Sequence, residues 1–292
     1  MSKHQNFILT PITNILEEAV AATAGIGIGM EVYPLSNYIL QSTFLSMTGF
    51  QEQKLKCICW ELATNDFEFR YQWLEEGNSK QGAYSQYKSK EYVYEKLIAT
   101  ILKYDKDFKI EEIDKQKILD NCIQTIINIF SNSNLIHGVM SKYNYFESAM
   151  WTNAEQILHS HKKLFKPREQ EPKKSDKLKK IEEKKEKGEN IKDNEEDQIK
   201  QFNERMTKYK VSSNYNLQDK YSDMYDNRNR LAHNTLSYQN NLPTFEVLLK
   251  ETDESRNYFI WFGILVLIDS IMMELFKIYL DKLENSVDYL YY

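Results

Sequence analysis

The sequence contains little glycine and proline, with nine glycines and five prolines in 292 residues. These two residues most often interrupt helices, because glycine has excess backbone freedom and proline lacks an N–H donor. We also find no convincing run with the apolar–polar alternation of a β-strand. The sequence therefore predicts an all-α fold, a helical bundle with enough length for an ample core.

Cysteine is also scarce, with only Cys57, Cys59 and Cys122 in the chain. Three cysteines do not make a disulfide framework, and the pair at 57 and 59 lacks the further ligands of a zinc site, so we expect partly buried thiols. No long apolar stretch follows Met1, and we expect no signal peptide. Both observations favour a reducing, cytoplasmic environment.

Long uninterrupted apolar runs are missing as well. Residues 258–268 are apolar, but Asp269, Glu274 and Lys277 follow them. A helix needs about 20 apolar residues to cross a bilayer, and this run is shorter. We therefore expect no membrane association and predict that this run belongs to a central, buried helix of the bundle.

Charge of one sign is not concentrated in the chain as a whole, since its net charge is -5 and its pI is about 5.7. A non-specific nucleic-acid binder would usually be basic, which counts against an RNA coat protein. An enzyme with a locally basic cleft on an acidic body remains compatible with this charge.

One segment, residues 167–200, has eleven basic and eleven acidic residues and almost no large apolar side chain. Such a segment is typical of a mobile linker or a solvated charged helix. Its basic part, residues 173–187, could attract RNA, or could be a solvated insertion. The predicted organisation is an N-terminal helical region at 1–166 that packs with C-terminal helices at 201–292 across this charged linker.

Apolar residues at helical spacing predict most of the helices. The predicted spans are 7–24, 35–47, 51–63, 67–74, 90–103, 113–130, 135–165 and 254–283. Gly49 marks a predicted turn between the second and third spans, and the glycines at 25, 27 and 29 predict a flexible connector.

Two features of the span at 135–165 invite functional interpretations. Its aromatic residues could stack bases or could belong to the core. His159 and His161 lie two residues apart, so on a helix they would point to nearly opposite sides. Helical metal ligands are better placed four residues apart, and we predict no metal or other cofactor.

The stretch most informative about function is residues 226–234, which we place on the last turns of a helix, facing a loop. Its polar side chains include Asp226, Arg228, Asn229, Arg230 and His233. Residues three or four positions apart share a helix face, so Asp226, Asn229 and His233 form one stripe with Arg230 close to it. Arg228 lies about 140° from His233 on a regular helix. It can reach the same cleft if the helix end loosens or if a second copy completes the site.

These residue types suit the cleavage of RNA without a metal. A histidine can accept the proton of a 2'-hydroxyl near neutral pH, and an arginine can hold the phosphate. The alternative is an Arg/His pair on the surface of an amphipathic helix.

The segment also resembles the signature of HEPN proteins, which places an arginine, a polar residue, several further residues and a histidine at a helix end. Four residues separate Arg228 from His233, and Asn229 occupies the polar position. The resemblance extends from about residue 219 to residue 283, where a long apolar helix follows the motif. It implies a helical homodimer and metal-independent endoribonuclease activity, in a toxin or antiphage effector with an antitoxin or other regulatory partner protein.

From this resemblance we expect His233 to transfer protons, Arg228 to hold the scissile phosphate of an RNA substrate and Asn229 to orient the cleft. Arg230 and Asp226 are expected to support them. The alternatives are a non-catalytic HEPN-type module that binds RNA, a nucleotide or a protein, and a purely structural helical subunit.

Overall fold

The computed structural model describes residues 1–27, 33–75, 84–131, 133, 154–167, 193–214, 216–232 and 258–288, with single residues at 172, 175, 178, 181 and 184. Within these ranges the chain is mostly helical, with one two-stranded hairpin, which confirms the predicted all-α class. The helices are α1 (Lys3–Ile8), α2 (Thr13–Ala22), α3 (Tyr33–Asn65), α4 (Phe67–Glu75), α5 (Tyr87–Tyr104), α6 (Lys115–Phe130), α7 (Asp193–Asn214), α8 (Leu217–Ala232) and α9 (Tyr258–Asp288). Strands β1 (Ile157–Ser160) and β2 (Lys163–Phe165) pair antiparallel.

Helix α9 forms the centre of the bundle and packs against α3, α5, α6 and α8. Every residue from Ile260 to Asp269 is buried, as the apolar run predicts. An aromatic contact joins α9 to α3, since the ring centroids of Trp261 and Phe44 are 5.0 Å apart. In the part of the chain that the structure describes, no helix combines the length and apolar character that a bilayer crossing requires.

Two predicted helix boundaries are wrong. Helix α3 continues through Gly49, where we predict a turn, because one glycine costs only about 1 kcal/mol in a helix interior. The flanking Met47 and Leu55 are buried and hold the helix in place. The predicted helix at 7–24 is instead divided between α1 and α2 around Pro11, and the carboxylate of Asp269 accepts a hydrogen bond from the Ile12 N–H at 2.9 Å.

The prediction of a helix at 135–165 is wrong for residues 157–165, which form the hairpin, while residues 134–153 lie outside the described residues. Side chains from two helices hold this hairpin. The Tyr94 hydroxyl of α5 donates to the Ser160 carbonyl at 2.9 Å, and the Lys115 ammonium of α6 donates to the Leu158 carbonyl at 2.8 Å. Leu158 has φ 47°, a left-handed conformation that costs energy for a branched side chain. Tertiary contacts therefore select the hairpin.

The hairpin fixes the start of α8. The Gln156 side chain, just before β1, accepts from the Leu217 N–H at 3.3 Å. The Asn216 side chain donates to the Lys166 carbonyl at 3.0 Å, and its oxygen caps the helix by accepting from the Gln218 N–H at 3.0 Å. The helix that carries the motif thus begins at a position set by the hairpin.

The charged segment at 167–200 contains ordered structure. Helix α7 begins at Asp193 within it and runs past residue 200. Leu178 and Ile181 are only 8% and 6% exposed, so two of its apolar side chains are buried, whereas Ile199 is half-buried.

Candidate functional site

Helix α8 holds the motif against the bundle through a buried face. Leu217, Tyr221 and Met224 are four and three positions apart and are all buried. The Tyr221 hydroxyl donates to the Ser85 carbonyl just before α5. Further along the helix, a hydrogen bond from Asn229 lowers the pKa of Tyr225, which also bonds to Ser85. The helix is therefore tied to the start of α5 along two successive turns.

Arg228 points toward α3. Its Nη2 donates to Glu52 Oε1 at 2.9 Å, and its Nη1 donates to Asn229 Oδ1 at 3.2 Å. The side chains of Arg228 and Glu52 are 22% and 15% exposed, so the pair is half-buried. The Arg228 Nε is buried and has no hydrogen-bond partner among the described residues. The guanidinium is thus held in one orientation with hydrogen-bonding capacity left over, since it carries five N–H donors.

The other motif residues occupy different environments. Arg230 donates from Nη2 to Asn227 Oδ1 at 2.6 Å, and Asn227 is buried. Asp226 is exposed. His233 lies outside the described residues, which end in this helix at Ala232. The structure therefore brings Arg228 and Asn229 together, ties Arg230 to a separate partner, and leaves the predicted stripe of Asp226, Asn229 and His233 untested.

Arg228 belongs to a group of charged residues that come from α3, α5, α8 and α9. We call this group the charged layer and define it as Glu52, Lys54, Lys90, Arg228 and Asp269. Lys54 and Asp269 form an ion pair at 2.6 Å with side chains only 2% and 3% exposed. Burial lowers the pKa of Lys54 and raises the pKa of Asp269, while their mutual contact opposes both changes. The layer therefore contains two ion pairs that leave α3 for different helices, together with a further lysine.

That further lysine, Lys90 of α5, is 1% exposed. Its ammonium donates to the Tyr84 carbonyl at 3.2 Å and lies 5.5 Å from the centroid of the Tyr221 ring. Burial lowers the pKa of Lys90 to about 7, with Glu52 opposing the change and Arg228 adding to it. Burial of Lys90 therefore favours its neutral form, and the charges of the Arg228–Glu52 pair act on it in opposite directions.

Sequence reasoning did not find Glu52 or Lys90, because neither is near the motif along the chain. Glu52 is 176 positions from Arg228. A partial signal exists for two charged members of the layer. Lys90 continues the buried stripe of Tyr94 and Leu97 at helical spacing, and Asp269 directly follows the apolar run of α9. A charged residue on an apolar stripe indicates a buried charge that needs a partner.

The histidines at 159 and 161 are both exposed on the hairpin, so their predicted placement on a helix is wrong. Among the described residues, no group of three or more histidine, cysteine, aspartate or glutamate side chains could hold a metal ion. Cys59 and Cys122 are buried and Cys57 is half-buried, which agrees with the prediction of partly buried thiols. Burial raises the pKa of Cys59 to about 12, so this thiol is unreactive at neutral pH.

A cleft of about 650 Å³ lies beside the C-terminal half of α9 and is lined by side chains of both charges. Glu112, Lys117, Glu274 and Lys277 are among them. Carboxylates and ammonium groups both line this cleft, so it presents no single charge to a ligand. The end of α8 carries the more specific arrangement, a fixed guanidinium beside a polar residue.

Comparisons with protein-family models, with curated proteins and with solved structures give no significant match.

Proposed function

We propose that the protein is a metal-independent endoribonuclease of the HEPN type. The observation that supports it best is the orientation of Arg228, whose guanidinium is held by Glu52 and Asn229 five residues before His233. An arginine fixed in this way can bind phosphate without first losing side-chain freedom. The short motif and the helical architecture agree with this function.

In this mechanism Arg228 holds the scissile phosphodiester and stabilises the charge that develops on it. His233 accepts the proton of the adjacent 2'-hydroxyl, whose oxygen attacks phosphorus while the 5'-oxygen leaves and takes up a proton. The products are a 2',3'-cyclic phosphate and a 5'-hydroxyl. DNA lacks the attacking hydroxyl and should remain intact.

Glu52 is a positioning residue in this mechanism, because it contacts Arg228 and not the substrate. Its carboxylate occupies one Nη2 donor and fixes the guanidinium plane. The Nε is buried, so phosphate oxygens would meet the remaining Nη donors of the guanidinium. Asn229 supports the same plane through Nη1.

We further propose a homodimer in which two motifs face each other, because one histidine and one arginine make a small site and a two-fold axis doubles the groups. An RNase inside a cell has to be restrained, so a toxin or antiphage effector with an antitoxin or regulatory partner protein fits this activity. Asp226 is exposed on α8 and is proposed to support the site from that helix.

A second candidate is a non-catalytic HEPN-type module that binds RNA, a nucleotide or a protein. The ion pair between Arg228 and Glu52 favours it, since a guanidinium already paired with a carboxylate can serve a purely structural link between α8 and α3. The two candidates differ in whether loss of Arg228 abolishes a chemical reaction or only a contact.

Expression in cells separates these candidates. The wild-type chain should slow growth and fragment RNA, and both His233→Ala and Arg228→Ala should abolish the two effects. His159→Ala, which changes an exposed hairpin histidine, is the matched control and should behave as wild type. Equal growth and intact RNA for all four chains would favour the binding module. Sequencing of the new 5' ends would identify the RNA that is cut.

A further inference from the structure

Lys90 occupies an unusual position for a lysine, fully buried and hydrogen-bonded to one carbonyl. Its ammonium has three donors, of which one reaches the Tyr84 carbonyl at 3.2 Å. Groups from three helices surround it electrostatically. Glu52 comes from α3, Arg228 and the Tyr221 ring come from α8, and Asp269 comes from α9. A lysine in this environment is costly when charged unless a negative group compensates it.

The charges of the layer show what decides the state of Lys90. The pair of Lys54 with Asp269 and the pair of Arg228 with Glu52 each sum to zero. A protonated Lys90 therefore adds a positive charge that forms no ion pair with a carboxylate among the described residues. The burial of Lys90 accordingly lowers its pKa to about 7, and Glu52 is the charge that most opposes this change.

A phosphate at Arg228 would alter this balance. It adds a negative charge to the layer and shares the Arg228 guanidinium with Glu52, which keeps its contact to Nη2, so that Arg228 neutralises Glu52 less fully. Both effects favour the protonated form of Lys90. If Lys90 stayed neutral, the Arg228 site with bound phosphate would carry an excess of negative charge.

We propose that Lys90 is a positioning residue of the Arg228 site, which takes up a proton when a phosphodiester binds and thereby balances the negative charge that the phosphodiester adds beside the Arg228–Glu52 pair. Because this role requires phosphate binding at Arg228, it rests on the function proposed above. It makes RNA binding dependent on proton concentration through a group that never touches the substrate.

Calorimetric titration in two buffers with different ionisation enthalpies measures the protons taken up on binding. The full-length chain with His233→Ala removes both cleavage and the nearby imidazole, and a 2'-O-methyl oligonucleotide serves as a probe that cannot be cut. At pH 8 this chain should take up a large part of one proton, since Lys90 is then mostly neutral. Affinity should correspondingly fall as pH rises from 6.5 to 8.5, by up to about tenfold per pH unit.

Three variants in the same His233→Ala background identify the proton acceptor. Lys90→Met cannot be charged and should bind without proton uptake. Lys90→Arg stays charged and should bind with affinity that no longer depends on pH, which rescues binding without restoring uptake. Lys88→Met changes an exposed lysine two residues away on the same helix and should keep the full proton uptake.

Each outcome has a distinct meaning. Uptake that survives in Lys90→Met, or binding without uptake in the His233→Ala chain, would overturn the role of Lys90 and leave the nuclease function standing. Failure of the probe to bind, with no RNA cleavage by the wild-type chain, would overturn both. If both Lys90 variants fail to fold, the pH dependence of affinity in the His233→Ala chain decides, because a constant affinity contradicts proton uptake.

Discussion

Two ion pairs start from residues within one turn of α3, and they differ in burial and in how fully their hydrogen bonds are satisfied. Lys54 reaches Asp269 of α9 at 2.6 Å, and Glu52 reaches Arg228 of α8 at 2.9 Å. The first pair is almost fully buried, and its carboxylate also accepts the Ile12 N–H, so it joins three segments of the chain. The second is half-buried and leaves the Arg228 Nε without a partner among the described residues. The completed pair of Lys54 and Asp269 is suited to holding the fold together. We propose that the incomplete pair of Glu52 and Arg228 accepts a ligand.

The largest effect should come from breaking the completed pair. Asp269→Asn leaves the Lys54 ammonium buried without a carboxylate, which should cost about 3–5 kcal/mol of unfolding free energy. Urea unfolding measures this loss. The double variant Lys54→Met/Asp269→Leu replaces the charges by apolar groups and should recover much of it. A loss below about 1 kcal/mol in Asp269→Asn would contradict the structural role given to this pair.

The next effect concerns Lys90 and depends on pH. Its pKa is about 7 in the folded chain and 10.5 ordinarily, so between these values the unfolded chain binds a proton that the folded chain does not. The free energy of unfolding therefore rises with pH between about 7 and 10.5, with a slope of at most about 1.4 kcal/mol per pH unit. As pH falls toward 7, this gain disappears because the folded chain must bury the charged lysine.

Urea unfolding of the wild type and Lys90→Met between pH 7 and pH 9 tests this directly. The wild type should gain stability relative to the variant as pH rises, while Lys88→Met should follow the wild type. A difference between wild type and Lys90→Met that stays constant over this range would mean that Lys90 does not titrate there.

The smallest change in stability should come from the incomplete pair. Glu52→Gln keeps a hydrogen-bond acceptor near Arg228 and should cost about 1 kcal/mol or less. RNA cleavage should nevertheless fall roughly tenfold, because the guanidinium loses its fixed orientation. Lys103→Met, which removes an exposed pair with Asp66, is the control and should change neither quantity appreciably. If Glu52→Gln lowered stability and left cleavage unchanged, the two pairs of α3 would be alike.

The sequence allows the two pairs to be anticipated to different degrees. Helical periodicity identifies α9 as the buried centre, and Asp269 stands out at the end of its apolar run. The motif identifies Arg228 and Asn229, because the signal lies within a few residues. Glu52 and Lys90 reach Arg228 only through the packing of α3 and α5, which local spacing does not encode. The hairpin escapes prediction for the same reason, since Tyr94 and Lys115 hold it from distant helices.

The most direct measurement is the incubation of the purified chain with an RNA and a DNA of matched sequence in the presence of EDTA. Arg228→Ala and Arg205→Ala form a matched pair of variants, because the first removes the guanidinium held by Glu52 and the second removes an exposed arginine of α7. We expect RNA fragments ending in 2',3'-cyclic phosphate from the wild type and Arg205→Ala, none from Arg228→Ala, and intact DNA throughout. Cleavage of RNA and DNA alike, or cleavage that survives in Arg228→Ala, would contradict it.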